Sequence, residues 1–518
     1  YSSIYVIYAR LAEECQMRGY LNGTRGCVGS SLVAYLLGIT GTNPLPPHYL
    51  CRKCSHSDFE IKYDSSFRRG YIGVDLPDRK CPLCGKKMRK DGYDIPAEVF
   101  MGINYDKEPD FELNVAYELQ EYIQKYTKRI DGISDVVLPG TIYRIPYTMA
   151  CELVGDYYKN HMDEDKDNSE IIIDRLTDVK LETGVHPIRL FLLPEGLDIN
   201  KVTPLSSVSF DDTDGEFLKT HFDYWKIQNN LQTVSICTNV VFTMLKRLEE
   251  CTGVNPDEIP LHDDKMMSLF ESPDALGVTE KQIRCTVGTL GACGFESHNF
   301  IYGIVPEAKP QNLSEIISGF GFEHGTGTWI DNAYDLIEGG NNDITTLIAF
   351  RDDIYMYLVN KGIDKETAYS IMEHVRKGKA YRYGLKEEWI ALMKEHGVPD
   401  WYIDSCKKIR YLFPKAHAAV YALRSWKILY YKLYYPKAFY TVWLECYAKH
   451  VDVGFVRAGQ EHAEKEYDQI LEKLRNADEN INNLEYEEYS ALEEMRNEIS
   501  VVLEMYARDV DVESVKTT

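Results

Sequence analysis

The stretch PDFELN, residues Pro109–Asn114, alternates carboxylate and apolar side chains. In a β-strand successive side chains point to opposite faces, so Asp110 and Glu112 would project together. The neighbours Phe111 and Leu113 would then pack against the interior. Paired carboxylates supply the oxygen ligands that a hard divalent cation such as Mg²⁺ prefers. Two carboxylates are rarely a whole metal site, so this stretch raises the question of where a third acid lies.

The chain is long and of ordinary globular composition. At 518 residues it exceeds a single small core, and three or more domains are expected. Its residues are 44% hydrophobic and 27% charged, which is typical of globular proteins. No apolar run reaches the ~18 residues of a membrane span and no signal peptide is evident, so no membrane role is expected. The first residues, YSSIYVIYAR, lack a Met and already follow an apolar period, which predicts a segment of a longer protein.

The net charge of −23 argues against a general nucleic-acid-binding protein. The charge is uneven, however, because residues 451–518 contain 18 acidic and 7 basic side chains, a net charge of −11. The preceding 450 residues therefore carry only −12. A basic groove on that larger part remains compatible with the sequence.

Thirteen cysteines without a secretory signal indicate a reducing compartment, in which disulfides are rare. Four of them form two CxxC knuckles, CRKC at 51–54 and CPLC at 81–84. Each knuckle can place two thiolates on one metal, and two knuckles complete a tetrahedral zinc site. Redox and iron–sulfur roles are the less favoured alternatives. The sequence therefore predicts structural Zn²⁺ on Cys51, Cys54, Cys81 and Cys84.

The stretch NGTRGCVGSSLVAY, residues 22–35, predicts a Gly-rich turn that leads into a helix. Consecutive backbone N–H groups and the positive end of a helix suit a phosphate group. Arg25 could add a charge-assisted contact, and Ser30 or Ser31 a hydroxyl group. The stretch is not a Walker P-loop, because GxxxxGK[ST] is missing. Taken alone, a Gly-rich helix start is more often just a tight connection between two elements.

The stretch FPKAHAAVYALRSWKILYYKLYYP, from Phe413, predicts a helix with Lys415 just before its start. The side chains that would share one face of this helix are His417, Tyr421, Arg424 and Ile428. A cation, a histidine and an aromatic ring at one helix start could hold a triphosphate and a base. Without further context, an amphipathic helix whose tyrosines pack against a core is the favoured alternative.

Hydrophobic periodicity assigns the rest of the chain to helices and strands. A helix is predicted over residues 4–21, strands within 98–116, a helix over 116–129 and another over 140–158. Residues 186–196 predict a buried strand, and residues 220–239 a pair of strands. From about residue 240 helices are expected to dominate, and the Glu-rich last part predicts helices without chemistry of their own.

These motifs occur together in one known family. In chain order they are GTRGCVGSS, the two CxxC knuckles, PDFELN, GVHP, THFDYWKIQNNL, GVTEKQI, RDDI, VRKGKA, WYIDSCKKI and FPKAHAAVY. Their combination resembles the DNA polymerase III alpha subunit of the PolC type, a C-family replicative polymerase of low-GC Gram-positive bacteria. The resemblance runs from about residue 15 to residue 445.

The resemblance implies an α+β multidomain fold. Its parts are a nucleotidyltransferase (polymerase-β-like) palm, an inserted zinc-binding segment, a thumb and a large α-helical fingers domain. The expected ranges are palm at 1–140 with the Cys₄ zinc-binding insertion at 46–98, thumb at 141–205, second palm part at 206–255, fingers at 256–450 and an acidic helical tail at 451–518.

The resemblance also implies roles for single residues. The palm loop that holds the phosphates of the incoming nucleotide is matched by Gly26, Gly29 and Ser30, and the fingers element that closes on it by Lys415 and His417. The implied partners are primed DNA, deoxynucleoside triphosphates and other replication proteins. The implied ions are structural Zn²⁺ and weakly held Mg²⁺, and the implied location is the bacterial cytoplasm.

The acidic positions depart from the family pattern. The paired acids of the family are two aspartates, PDIDLN, whereas the second acid here is Glu112. The third aspartate of the family lies in a strand similar to LKLDILG. The aligned residues here are LQTVSICT, with Ser235 at that position. Asp223 matches an acid that the family keeps in addition to these three, so it is an unlikely substitute.

These departures predict a damaged polymerase site. A serine hydroxyl is neutral and cannot replace a carboxylate that holds one of two catalytic ions, and glutamate for aspartate moves the oxygens by about a methylene. Residues 286–308, after the GTLG turn, also contain no Lys or Arg. The sequence therefore predicts an impaired PolC-like protein with catalytic acids Asp110 and Glu112, acting as a nucleic-acid- or protein-binding component. The alternatives are an active polymerase fragment and an interaction protein that has also lost DNA binding.

Overall fold

The computed structural model describes residues 1–63, 70–160, 168–208, 217–340, 344–479 and 486–510. Helices and strands both occur, which confirms the expected α+β class. The chain forms two compact units, of which the first joins residues 1–118 to residues 238–518 and the second is residues 119–237. Parts of the predicted zinc-binding insertion, thumb, second palm part, fingers and tail lie outside the described residues, at 64–69, 161–167, 209–216, 341–343, 480–485 and 511–518.

The first part of the first unit alternates short helices and strands. In chain order they are α1 (Ser2–Met17), β1 (Gly23–Arg25), α2 (Leu32–Leu36), β2 (His48–Leu50), β3 (Ser57–Asp58), β4 (Arg89–Asp91), α3 (Glu98–Met101) and β5 (Glu112–Val115). Strands β1 and β5 pair antiparallel. Strand β2 pairs with both β3 and β4 in a small antiparallel sheet, and the first CxxC knuckle begins directly after β2.

The alternation predicted for PDFELN is confirmed. Phe111 and Leu113 are buried, whereas Asp110 is exposed and Glu112 is half-buried. Tyr8 of α1 holds this stretch from the interior, because its hydroxyl donates to the Phe111 carbonyl oxygen at 2.7 Å and its ring stacks on the Phe111 ring. The two carboxylates therefore face away from the core.

The strand prediction for residues 98–116 is too long. Only the end of this range is strand β5, and its start forms the short helix α3. The helical turn begins at Pro96, whose carbonyl accepts a hydrogen bond from the Val99 amide at 3.3 Å. The fixed φ of proline suits the first turn of a helix, which explains the difference.

The second unit is built on a mixed sheet. Its elements are α4 (Gln120–Thr127), β6 (Ile133–Arg144), α5 (Tyr147–Asn160), α6 (Ser169–Leu176), β7 (Lys180–Val185), β8 (Arg189–Pro194), β9 (Leu205–Ser207), β10 (Leu218–Asp223), α7 (Tyr224–Ile227) and β11 (Thr233–Thr238). The strand order is β11-β8-β6-β10-β9, and β7 also pairs with the long strand β6. The pair β6–β10 is parallel, whereas β6 pairs antiparallel with β7 and β8. The buried strand predicted within 186–196 is confirmed as β8.

Two details of the second unit differ from the sequence-based expectation. The two strands predicted within residues 220–239 are present as β10 and β11, but β6 and β8 lie between them in the sheet. The helix predicted over 140–158 begins only at Tyr147, because residues up to Arg144 extend β6. Thr141, Ile142 and Tyr143 suit a strand and pair with β7, so the strand continues past the glycine that was expected to start the helix.

After residue 239 the first unit is helical, as predicted. The helices are α8 (Val240–Thr252), α9 (Asp264–Ser268), α10 (Glu280–Ile283), α11 (Val305–Ala308), α12 (Leu313–His324), α13 (Tyr334–Glu338), α14 (Arg351–Asn360), α15 (Lys365–Arg376), α16 (Lys379–Tyr383), α17 (Glu387–Glu395), α18 (Asp400–Lys408), α19 (Lys415–Tyr434), α20 (Pro436–Cys446), α21 (Val453–Arg457), α22 (Gln460–Asp478) and α23 (Tyr486–Ala507). In α19, 14 of the 20 residues are buried, so it lacks the broad polar face of a surface helix.

The acidic last part is helical, as predicted, but it is not a separate surface feature. Helix α22 buries residues three or four positions apart, namely Ala463, Tyr467, Ile470 and Leu474. Residues of α23, among them Val501 and Leu503, are buried in the same core as α19.

Within the described ranges, none of the helices combines the length and the apolar character that crossing a membrane would need.

Candidate nucleotide and metal sites

The four knuckle cysteines converge in the first unit. The sulfur atoms of Cys51 and Cys84 are 3.4 Å apart. Those of Cys54 and Cys81 are 3.5 Å apart, and all four sulfurs lie within 4.8 Å of one another. A tetrahedral Zn²⁺ with sulfur ligands at about 2.3 Å separates the sulfurs by roughly 3.8 Å. The four thiols therefore have the geometry to hold one metal ion such as Zn²⁺.

Both knuckles use the same backbone turn. The amide of Ser55 donates to the Cys51 carbonyl oxygen, and the amide of Gly85 donates to the Cys81 carbonyl oxygen, each at 2.9 Å. Ser55 and Gly85 have positive φ angles of 57° and 70°, a conformation that suits glycine better than serine. Backbone amides around the Cys51 sulfur, first that of Cys54, lower the pKa of this thiol to about 6. A thiolate is the form that binds a metal.

The cysteine-bearing segment is fastened to the helical part of the first unit. The Tyr71 hydroxyl donates to the Glu315 carboxylate at 2.6 Å, and the Asp75 carboxylate accepts the Ser314 amide at 3.0 Å. Asp75 thus lies at the N-terminus of α12, where a negative charge is favourable. A disturbance at the knuckles would be felt at α12 through these contacts.

The predicted phosphate loop is a tight turn packed against the start of α19. Gly26 has a φ of +67°, which favours glycine there. A Cβ atom on Gly29 would lie 2.2 Å from the Thr42 hydroxyl oxygen and 3.2 Å from the Ala416 Cβ, so only glycine allows this approach. The Ser30 hydroxyl is buried and has no hydrogen-bond partner among the described residues. Helix α2 has only five residues, so anion binding here would depend on the loop's own amide groups.

The loop and the predicted catalytic acids lie on neighbouring strands. Arg25 is opposite Glu112 in the β1–β5 pair, and its Nε lies 3.7 Å from the Glu112 Oε2. The two side chains are 49% and 21% exposed, so solvent screens the pair only in part. A carboxylate that faces a guanidinium attracts a metal cation less strongly. The structure thus brings together two predicted site residues, in a pair that weakens Glu112 as a metal ligand.

The two aspartates of the RDDI stretch fix two helix starts. Asp352 accepts the Lys415 amide at the start of α19 at 3.0 Å, and Asp353 accepts the Phe350 amide at the start of its own helix, α14, at 2.8 Å. Burial raises the pKa of Asp353 to about 7, and the nearby Lys415 charge opposes this shift. Lys415 is only 7% exposed, so its position is fixed by packing and by Asp352.

His417 supplies an aromatic ring and no charge. Its ring stacks on Phe413 with centroids 4.6 Å apart and meets the Tyr421 ring edge-on, also at 4.6 Å. Burial, followed by the positive charges of Arg25 and Arg424, lowers the pKa of His417 to about 3. At neutral pH the imidazole is uncharged, so a phosphate held beside it would gain no ion pair from it.

In the second unit, Ser235 lies in the middle of β11 and is 1% exposed. Its place in the strand is set by pairing with Arg189 of β8. Asp223 is already engaged, because its Oδ2 accepts the Ile142 amide and its Oδ1 accepts the Trp225 amide, each at 3.0 Å. The bond from Trp225 makes Asp223 the N-cap of α7.

Arg351 has a role that the sequence did not reveal. It is 4% exposed, and its guanidinium donates to the Val99 carbonyl oxygen at 2.9 Å and contacts the Cys27 sulfur. It therefore connects the phosphate loop to α3 and α14. The sequence shows an arginine directly before two aspartates, which could have marked Arg351 as a candidate. Nothing in the sequence indicates that residues 27 and 99 lie beside this arginine.

Comparison with known proteins assigns the family. Residues 1–172 match the family model described as bacterial DNA polymerase III alpha NTPase domain, and residues 237–397 match that of the bacterial DNA polymerase III alpha subunit finger domain. The chain is 40% identical over 516 residues to the DNA polymerase III PolC-type of Caldanaerobacter subterraneus subsp. tengcongensis, which covers 99% of this chain and 35% of that protein. It is 42% identical over 463 residues to the PolC-type polymerase of Halalkalibacterium halodurans, covering 89% of this chain and 31% of that protein.

A further relative is the PolC-type DNA polymerase III of Bacillus subtilis, 39% identical over 462 residues, or 89% of this chain and 31% of that protein. The chain thus spans about a third of the length of the curated relatives it matches. Two polymerase III family models in chain order and about 40% identity along nearly the whole chain agree with one another. The chain therefore belongs to the PolC-type DNA polymerase III family.

Proposed function

We propose that the chain forms the palm, thumb and fingers of a PolC-like protein that binds nucleotide and primed DNA but carries out templated nucleotidyl transfer poorly or not at all. The proposed domain ranges are those expected from the sequence. The observation that carries the proposal is the neutral Ser235 at the position of the third acid, buried in β11.

The chemistry explains why one serine matters. Two-metal phosphoryl transfer uses anionic oxygens on both ions, one of which activates the attacking hydroxyl group. Glu112 lies opposite Arg25, and both carboxylate oxygens of Asp223 already accept backbone amides. These contacts support the proposal that Asp110 and Glu112 hold at most one Mg²⁺ weakly.

Nucleotide binding is proposed to outlast catalysis. Phosphate contacts from the amides of Gly26 and Gly29, from Arg25 and from the Ser30 hydroxyl need no carboxylate, and Lys415 is held at the adjacent end of α19. The Ser30 amide itself donates to the Cys27 carbonyl oxygen at 2.9 Å. The His417 ring would contribute stacking and not charge. We therefore propose that the chain keeps the substrate class and the nucleotide site of the family, although it no longer carries out the reaction efficiently.

Replacing Lys415 tests this nucleotide site. Because a hydrogen bond from a charged group contributes about 1.5–3 kcal/mol, Lys415→Ala should weaken deoxynucleoside triphosphate affinity roughly ten- to hundredfold. Titration calorimetry would measure this, with Lys407→Ala, an exposed lysine paired with Asp404 at 3.0 Å, as the matched control. Equal affinities for the two variants would remove Lys415 from the site.

The knuckle cysteines are proposed to hold one structural Zn²⁺. Protein purified without chelator should contain about one equivalent of zinc by elemental analysis, because the sulfur geometry fits tetrahedral coordination. Cys51→Ser should lose the metal and lower the melting temperature, while leaving nucleotide affinity nearly unchanged. Cys251→Ser, at an exposed cysteine outside the cluster, is the control. Less than half an equivalent of zinc in the unmodified chain would contradict the assignment.

The alternative functions are an interaction protein that no longer binds DNA and an active polymerase. The net charge of −23 favours the interaction protein, but much of that charge lies in residues 451–518 and leaves the rest of the chain closer to neutral. A titration of primed DNA at several salt concentrations tests the interaction protein against the proposed function, because phosphate contacts give an affinity that falls steeply with salt. Absent or salt-independent binding would support the interaction protein, and efficient primer extension would support an active polymerase.

A further inference from the structure

A cleft of about 870 Å³ opens in the first unit between α1, α2, β4, α8 and α19. This volume lies within the range of small-molecule sites, roughly 300–1,000 Å³. Gly23 of β1 lines the cleft, but the proposed nucleotide residues Gly26, Gly29, Ser30 and Lys415 do not. The cleft is therefore separate from the proposed nucleotide site.

Arg424 of α19 lines this cleft with a buried charge. The side chain is 6% exposed, and its Nη2 donates to the Thr24 carbonyl oxygen at 3.4 Å. The guanidinium also lies 4.3 Å from the Phe242 ring centre and 5.2 Å from that of Tyr421. Its Nη1 finds no hydrogen-bond partner within the described ranges. In the part of the chain that the structure describes, no carboxylate lies within ion-pair distance of it.

The other charges that line the cleft are compensated. Arg89 pairs with Asp91 at 3.0 Å, and Lys427 pairs with Asp257 at 2.7 Å. The remaining two, Lys90 and Glu249, pair outside the cleft with Asp78 at 3.2 Å and Lys246 at 3.7 Å. Arg424 is thus the one lining cation that, among the described residues, lacks an anionic partner.

A buried guanidinium without an anion is unfavourable, because desolvation is not repaid by an ion pair. Burial accordingly lowers the pKa of Arg424 to about 10, at which the group is still charged at neutral pH. Unsatisfied buried groups in native proteins call for a specific explanation, and functional sites are where folds retain them. An anionic ligand in the cleft would supply the missing partner.

The lining indicates the class of ligand. The planar fork of an arginine matches the oxygens of a phosphate, and the other lining cations Arg89 and Lys427 are already held by carboxylates, which leaves Arg424 to meet the ligand. Tyr35, Tyr93 and Phe242 give aromatic faces for an organic part. We propose that this cleft binds a phosphate-bearing ligand whose phosphate group pairs with Arg424. The proposal does not depend on polymerase activity.

Inorganic pyrophosphate is the probe for this site. Titration calorimetry is run on the whole chain carrying Lys415→Ala, which weakens the proposed nucleotide site, with and without Arg424→Met. We expect pyrophosphate to bind the first protein and to bind at least tenfold more weakly once Arg424 is replaced. Without ligand, the Arg424→Met chain should melt at the same or a higher temperature, because an unpaired buried charge has been removed.

A structural role for Arg424 predicts different results. Pyrophosphate affinity within twofold after Arg424→Met would overturn the proposal, as would no measurable pyrophosphate binding to the Lys415→Ala chain that keeps Arg424. Those outcomes would make Arg424 a brace for β1 through the Thr24 carbonyl. If Arg424→Met does not fold, Arg424→Lys keeps the charge without the fork, and the same tenfold loss is expected for it.

Discussion

Templated primer extension by this chain should be absent or very slow, with Mg²⁺ or with Mn²⁺, on a primed template that it binds. Ser235 offers no charge for the second ion, so the attacking hydroxyl group is neither positioned nor made more acidic. The Glu112 carboxylate is displaced by about a methylene relative to aspartate, and a displacement near 1 Å can itself cost about 10²-fold in rate. Extension is measured in gels at matched DNA occupancy, so that weak DNA binding is not mistaken for slow chemistry.

The restoring variant combines Ser235→Asp with Glu112→Asp. If the acids alone are defective, extension should increase by at least about 10²-fold over the unmodified chain. The matched control is Ser235→Asn with Glu112→Asp, since asparagine has the size of aspartate without its charge. Restoration by aspartate and not by asparagine would assign the effect to metal-binding charge.

Stability gives an independent measure of the same site. Position 235 is 1% exposed, so a carboxylate placed there is largely removed from water, which is unfavourable. Ser235→Asp should therefore lower the melting temperature in metal-free buffer, and Mg²⁺ should raise it again more than in the asparagine control. Efficient extension by the unmodified chain would falsify the impaired-site proposal and indicate a polymerase that tolerates Glu112 and Ser235.

Local patterns predicted those parts of the chain whose structure is set locally. The period-two alternation in PDFELN placed Phe111 and Leu113 inside, and the CxxC spacing brought two pairs of cysteines together. Both rest on fixed short-range geometry, namely the pleat of a strand and the turn of a knuckle. The helices of the second half could also be predicted from the sequence, since their apolar periodicity extends over many residues.

The order of the strands in the sheet could not be predicted from such local patterns. Strands β10 and β11 are close in sequence, yet β6 and β8 lie between them, because sheet order depends on contacts that sequence distance does not report. The charge state of His417 was hidden for a related reason. Its pKa is set by burial and by Arg25 and Arg424, which are distant from one another in sequence.

The Glu-rich last part shows the limit of composition. Its composition predicted an acidic helical tail, but Glu504 of α23 is 0% exposed and pairs with the equally buried Lys432 of α19 at 2.8 Å. The Lys432 ammonium also donates to the carbonyl oxygens of Gly288 and Leu290 at 2.8 and 2.5 Å. The Tyr440 hydroxyl donates to Glu504 at 2.5 Å. This network of contacts holds α23 against the rest of the helical core.

Lys432→Met should destabilise the chain by about 3 kcal/mol, because it leaves the buried Glu504 carboxylate with only Arg508, at 3.7 Å, as a cationic partner. The double variant Lys432→Met, Glu504→Leu should recover part of that loss, since the apolar pair carries no desolvation cost whereas Arg508 loses its carboxylate partner. Lys449→Met is the matched control, because Lys449 and Glu494 form an exposed pair at 3.0 Å that contributes less than about 1 kcal/mol.

Urea unfolding gives the free energies, and hydrogen exchange at residues 486–507 locates the loss in α23. Burial lowers the pKa of Lys432, and the Glu504 charge opposes this shift. If the double variant is no more stable than Lys432→Met alone, the ion pair is not what holds α23. The apolar contacts of Val501 and Leu503 would then account for its docking, and the buried charges would have to be stabilised by the surrounding carbonyl and hydroxyl groups instead.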